Sequence, residues 1–261
     1  MPIARLSGCD LHYELDGDTR LPVLVLSNAL GTHLGMWAPQ IADLQQRFRV
    51  LRYDTRGHGR SSVPTGEYRL DQLGGDVIGL LDLLGIARAH FCGLSMGGLT
   101  GMWLATHQPQ RIDKLVLSNT AARVGSHDVW QERIATVLAQ GMGTLIPNII
   151  DRWFTKTYQA AQPDAVAAIV DMLQRAPIAG YAANCAALRD ADLRGDLGRI
   201  QAPTLVITGK HDGSIAASEG RMLAAGIAGA HHVELDAAHL SNWERSAQFT
   251  EAVVASLCRK A

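Results

Sequence analysis

The run Gly93-Leu94-Ser95-Met96-Gly97 sets a serine between glycines, where an apolar stretch meets an apparent helix. Ala89-His90-Phe91-Cys92 predicts a buried strand, and Gly98 to Thr106 predicts the helix packed on it. A serine at such a corner projects its hydroxyl from a tight, strained turn, and the glycines let two backbones approach closely. Amides at the start of the following helix favour negative charge nearby. An exposed oxygen beside oriented donors is what nucleophilic attack on a carbonyl requires.

A hydroxyl is a weak nucleophile at neutral pH, so Ser95 needs a base, and the base needs a group to orient it. The chain supplies both downstream, each on a loop after a strand. Pro203 to Gly209 reads as an apolar strand that leads through Lys210 and His211 to Asp212. His232 to Asp236 reads as the last strand, followed by Ala237, Ala238 and His239, with a helix from near Asn242. Ser95, Asp212 and His239 therefore fall on the edge where an open parallel sheet places its sites. They are the candidate catalytic residues. An ordinary helix cap is the competing reading of Ser95. Asp236 lies only three residues from His239 and more naturally ends its strand, while Asp190 follows no strand. His231 and His232 sit in or beside the last strand, where a pleated side chain packs or faces solvent.

Two amides must hold the oxyanion of an attacked carbonyl. Met96 N–H, next after the serine, is one, and the loop Ser27-Asn28-Ala29-Leu30-Gly31-Thr32 supplies the other. Leu30 is the expected donor there, with Ala29 as the alternative and Asn28 as a side chain that holds the loop. The segment Asp54-Thr55-Arg56-Gly57-His58-Gly59-Arg60-Ser61 lacks both G-x-G-x-x-G spacing and the lysine of a phosphate loop. His58 stands too early in the chain for the base. Asp54 and Arg56 are expected to brace the turn beside the nucleophile.

These residues need a scaffold. With 261 residues, 47% of them hydrophobic, the chain can bury one substantial core with a modest insertion. A formal charge of −1 gives no field for nucleic acid or a membrane surface. The start Met1-Pro2-Ile3-Ala4-Arg5 has no apolar leader, and no apolar run is long enough to span a bilayer. Cys9, Cys92, Cys185 and Cys258 are far apart, without metal-ligand spacing. A cytoplasmic, reduced protein without metal or cofactor is expected. Residues 3–16 predict a hairpin around Ser7-Gly8. Strands at Pro22–Ser27, Phe48–Tyr53 and Asp113–Ser118 alternate with helices at Met36–Arg47 and Leu70–Leu84. That alternation implies an α/β fold with a mostly parallel sheet and helices on both faces. Residues 122–189 show helical patterns and aromatics but no strand. They are expected to form a helical cap inserted into a core of residues 1–121 and 190–261.

Taken together, Asn28 to Thr32, Leu51 to Gly59, Phe91 to Gly101, Leu117 to Arg123, Arg152 to Thr155 and Gly180 to Cys185 resemble the 3-oxoadipate enol-lactonases. The resemblance runs nearly the full length and includes the expected cap. It implies the α/β-hydrolase fold and hydrolysis of a small anionic lactone by a Ser95–His239–Asp212 triad, in the β-ketoadipate pathway, with no cofactor. One departure is that Asn28-Ala29 stands where many relatives carry His-Gly. An anionic substrate calls for a cation, and among Arg123, Arg133, Arg152 and Arg175 the expectation falls on Arg133. It shares a helix face with Trp130, three residues away, and the two are candidate substrate contacts. A carboxylesterase, another small-lactone hydrolase or a C–C bond hydrolase would keep the same triad. A hydrolase-fold binding protein without turnover is a more remote alternative.

Overall fold

Ser7 and Gly8 turn the chain between β1 (Ile3–Leu6) and β2 (Cys9–Asp16), the antiparallel hairpin that the alternation predicts. The structure, a computed structural model, describes residues 2–259. Six further strands follow: β3 (Val23–Ser27), β4 (Arg49–Tyr53), β5 (Ala89–Leu94), β6 (Ile112–Ser118), β7 (Thr204–Gly209) and β8 (His231–Leu235). They form one sheet in the order β1-β2-β4-β3-β5-β6-β7-β8. Pairing is antiparallel as far as β2–β4 and parallel from there to β8. Every residue of β5 and β7 is buried. Successive side chains point to opposite faces, so both faces of the sheet are covered, as a parallel sheet requires. The strand order reverses between β3 and β5, and a crevice opens above their carboxyl ends at such a reversal.

Helices α2 (Leu70–Leu83) and α3 (Met96–His107) join the central strands. The helix expected from Met36 to Arg47 is instead a 3-10 helix over Leu34–Gln40, followed by one turn, α1 (Ile41–Leu44). Pro39 lies inside it and has no N–H to donate backward, so the tighter turn persists while Met36 and Trp37 are buried.

Five helices separate β6 from β7: α4 (His127–Gln140), α5 (Ile146–Trp153), α6 (Lys156–Ala161), α7 (Pro163–Gln174) and α8 (Ile178–Asp190). The ends of this insertion meet, because Leu193 N donates to Ala122 O at 2.8 Å. Three more α-helices follow among the described residues. The first, α9 (Ala217–Gly226), is not foreseen from the sequence, since only Gly220 and Leu223 in it are buried. The last two are α10 (Ser241–Glu244) and α11 (Ser246–Cys258), with Arg245 breaking out of helical geometry between them. Among the described residues no helix is long and apolar enough to cross a membrane. None of their His, Cys, Asp and Glu side chains cluster in threes that could hold a metal ion.

Candidate active site

Ser95 occupies the corner between β5 and α3 with φ 57° and ψ −114°, one of two non-glycine residues at positive φ among those described. Such a conformation costs about 1–3 kcal/mol and persists only where its surroundings hold it. The flanking glycines explain how it is held. A Cβ on Gly93 would lie 2.1 Å from Gly97 O, and one on Gly97 would lie 2.2 Å from Ser27 O. The turn is thus closed against itself and against the end of β3. Ser95 N donates to Ser118 O at 2.9 Å, and Thr120 Oγ1 donates to Ser95 O at 2.8 Å. Ser95 Oγ makes no hydrogen bond to another described residue, and the side chain is only partly covered.

Asp212 follows β7 and His239 follows β8. His239 Nδ1 and Asp212 Oδ2 are 2.8 Å apart, with side chains only 2% and 1% exposed, so water does not screen the pair. Asp212 Oδ1 accepts from Ser214 N at 2.7 Å and Ile215 N at 2.8 Å, which fixes the carboxylate from its other side. The competing acids and histidines lie elsewhere. Asp236 bonds His211 and Arg245, Asp190 bonds Arg189, His232 bonds Thr208, and His231 bonds Arg259.

The loop after β3 discriminates between its two candidate donors. Ala29 N already donates to Met36 Sδ at 3.2 Å, and Gly31 N to His58 Nε2 at 2.8 Å. Leu30 N and Met96 N have no hydrogen-bond partner among the described residues. Asn28 holds the loop, donating to Tyr53 O and accepting from Trp37 Nε1, while its own carbonyl accepts from Gly97 N. Asp54 holds its own turn, its Oδ2 accepting from Arg60 N at 2.9 Å, and ties it to the chain beyond this loop, its Oδ1 accepting from Leu34 N at 2.8 Å. Arg56 turns away and forms a bidentate pair with Asp76.

A model of the α/beta hydrolase fold family matches residues 22–246, a span that contains all of these groups. 3-Oxoadipate enol-lactonase 2 of Acinetobacter baylyi is 44% identical over 95% of this chain and 93% of its own. The chain belongs to the α/β-hydrolase fold family, among the 3-oxoadipate enol-lactonases. The crystal structure of the enol-lactonase from Burkholderia xenovorans is similar at a TM-score of 0.97. It is 51% identical, covering 99% of this chain and 100% of that one. A hydrolase from Pseudomonas aeruginosa follows at 0.95 and 48%, covering 98% and 97%.

In this hydrolase Arg133 lies over the rings of Trp130 and Tyr181, 5.5 and 5.8 Å from their centroids, and donates to Tyr181 Oη at 2.9 Å. No described carboxylate pairs with it. Trp130 itself is buried and spends its indole N–H on Val124 O. Arg133, Arg152, Trp153 and Ser214 line a cavity of about 200 Å³. Trp153 joins that cavity to the chemistry, its ring centroid 5.7 Å from that of His239. A larger cavity of about 550 Å³, beside Lys114 and His231 at the other edge of the sheet, contains none of these groups.

Four residues near the site went unassigned in the sequence. Asn119 reaches both the Asp212 and the His239 loops. Glu244 accepts from Thr155 N and Oγ1 on the insertion and from Ala238 N beside His239. Trp153 O also accepts from Leu240 N, so the insertion is fastened to the His239 loop at two points. His58, excluded as a base by its place in the chain, serves as an acceptor. Gly31 N–H points at Nε2, so the proton is on Nδ1, which faces Arg56 O at 3.4 Å.

Burial pushes His58 down to about 4. The unfolded chain binds a proton there near pH 6.5 and the folded one only near pH 4. The contribution of His58 is therefore whole above pH 6.5 and lost as pH falls toward 4, to a limit on the order of 3 kcal/mol. Urea unfolding of wild type and His58→Gln across pH 4 to 7 checks this. The variant is expected to lose less stability than wild type over that range, and parallel curves would refute it.

Proposed function

We propose that this hydrolase opens 3-oxoadipate enol-lactone to 3-oxoadipate through an acyl-enzyme on Ser95, in the β-ketoadipate pathway. The chemistry rests on the shielded Asp212–His239 pair, tied through Ser118, Asn119 and Thr120 to the strained turn of Ser95. The substrate rests on enol-lactonase relatives whose similarity spans nearly the whole chain. That span includes residues 122–189, which we take as the cap.

His239 removes the Ser95 proton through Nε2, while Asp212 holds the Nδ1 proton and stabilises the imidazolium. Ser95 Oγ attacks the lactone carbonyl, and the amides of Leu30 and Met96 receive the developing charge. Leu30 is favoured over Ala29 because the Ala29 amide is taken. Collapse of the tetrahedral species breaks the ring C–O bond. The enol oxygen takes the proton from His239 and stays tethered through the acyl chain. His239 then draws a proton from water, whose oxygen attacks the ester and frees Ser95. The released enol tautomerises to the ketone. Nothing in these steps calls on a cofactor.

Trp130 and Arg133 are the proposed substrate contacts, with the unpaired guanidinium taking the carboxylate arm. Arg133→Met keeps the apolar stem and removes the charge. It is expected to lower kcat/KM for the lactone about 10- to 100-fold, the value of a hydrogen bond to a charged partner. Hydrolysis of neutral p-nitrophenyl acetate should change little. The deciding assay follows loss of ultraviolet absorbance from freshly generated lactone, with the aryl ester alongside. Ester turnover without lactone turnover would keep the nucleophile and reject the substrate.

A further inference from the structure

The end of β6 carries a side chain that fits its surroundings only as an amide. Asn119 is 1% exposed and adopts φ 46°, the left-handed region that asparagine tolerates better than most residues. Its Oδ1 accepts from Ser118 Oγ at 2.9 Å and Ser241 Oγ at 2.6 Å. Its Nδ2 donates to Asp212 Oδ2 at 3.0 Å and Ala238 O at 3.3 Å. All four hydrogen-bonding positions of the amide are used, two hydroxyl donors on one end and two acceptors on the other.

The backbone on either side of Asn119 holds the serine. Ser118 O accepts from Ser95 N, and Thr120 Oγ1 donates to Ser95 O. Asn119 N also donates to Ile207 O on β7 at 2.8 Å. Three consecutive residues thus connect the nucleophile turn, the Asp212 loop and the His239 loop, which come from three separate strands. An alanine would leave two hydroxyls and a carbonyl unsatisfied in the interior. An aspartate would set an oxygen against a carboxylate and a carbonyl that both need a donor.

We propose that Asn119 is a positioning residue for the reaction: its amide sets where Asp212 Oδ2 points and holds the His239 loop in register with Ser95. The proposal rests on the triad reading above. Besides Asp212 and His239, the titratable group facing this node is Glu244, which accepts from Ala238 N while Asn119 donates to Ala238 O.

Asn119→Gly and Asn119→Asp test it, with wild type and Ser95→Ala in parallel, on the lactone and on p-nitrophenyl acetate. Glycine keeps the left-handed backbone and removes the whole side chain, so Ser118 Oγ, Ser241 Oγ and Ala238 O lose the same partners as with alanine. It is expected to lower kcat about tenfold or more with KM within about twofold, the pattern of a lost transition-state contribution. Aspartate is nearly isosteric and keeps the fold if glycine does not. It places two carboxyl groups in contact, so one gives up its proton only at a higher pH than the other. As that proton leaves, the added charge favours the imidazolium of His239. The acid limb of the kcat/KM profile should therefore move to higher pH by at least about one unit. A glycine variant with wild-type kcat, or an aspartate variant with the wild-type profile, would overturn the proposal. Ser95→Ala retaining activity would overturn the triad reading instead, whatever the Asn119 variants do.

Discussion

Ser95→Ala is expected to abolish turnover of the lactone, with kcat falling on the order of 10⁶-fold, while the protein folds as before. The two halves of that expectation have separate grounds. In the proposed mechanism, loss of Oγ removes the atom that forms the covalent intermediate, and His239 is left with no hydroxyl to deprotonate. Folding is spared because Oγ makes no hydrogen bond to another described residue, so its removal strands no buried partner. The backbone bonds that define the turn, from Ser95 N to Ser118 O and from Thr120 Oγ1 to Ser95 O, do not involve the hydroxyl. The turn at φ 57° strains alanine about as it strains serine. Urea unfolding should give a midpoint close to that of wild type, and the lactone should still bind. The Leu30 and Met96 amides also remain, so a small residual rate above water is expected. If the variant kept activity within about 100-fold of wild type, Ser95 would not be the nucleophile, and direct attack by water on the lactone would replace the acyl-enzyme.

The residues that carry local constraints were legible in the sequence, and those that depend on contacts between distant segments were not. Gly93 and Gly97 mark the elbow because the close approach they permit is imposed within five residues. Asp212 and His239 were chosen from chain order, since each lies just beyond a recognisable strand, the apolar run Thr204–Gly209 and the alternating His231–Leu235. Asn119 has no such mark. It looks like a loop asparagine until β6 is set beside β7 and its amide is found between Asp212 and Ala238. The choice between Ala29 and Leu30 depends on Met36 Sδ reaching back across the loop, which spacing does not encode. His58 was set aside as a base by its place in the chain, and its service to Gly31 N–H appears only when the two loops meet. Within the elements, Pro39 was the readable sign that the helix from Met36 would not be a regular one.

Asp212→Asn should cost about 10⁴ in kcat, although it changes a single atom, and the reason is the set of donors around the carboxylate. Four groups point N–H bonds at Asp212: Ser214 N and Ile215 N at Oδ1, and Asn119 Nδ2 and His239 Nδ1 at Oδ2. A carboxylate accepts them all, whereas an amide accepts at one end only. With its oxygen toward the two backbone amides, the new asparagine points its NH₂ at His239 and Asn119. His239 must then accept at Nδ1 and carry its proton on Nε2, where it cannot take the proton of Ser95. With its oxygen toward His239, the NH₂ meets the N–H groups of Ser214 and Ile215, which are fixed by the backbone. Asn119 cannot relieve the first arrangement by turning over, because its Oδ1 would then face Ala238 O. Either way a buried donor pair is opposed, and a stability loss of about 1–3 kcal/mol should accompany the loss of rate. The measurement is kcat for the lactone beside urea unfolding of the same preparation. A fall in kcat of tenfold or less would mean that Asp212 does not set the tautomer of His239. A large fall in kcat with only a modest loss of stability would assign it that task.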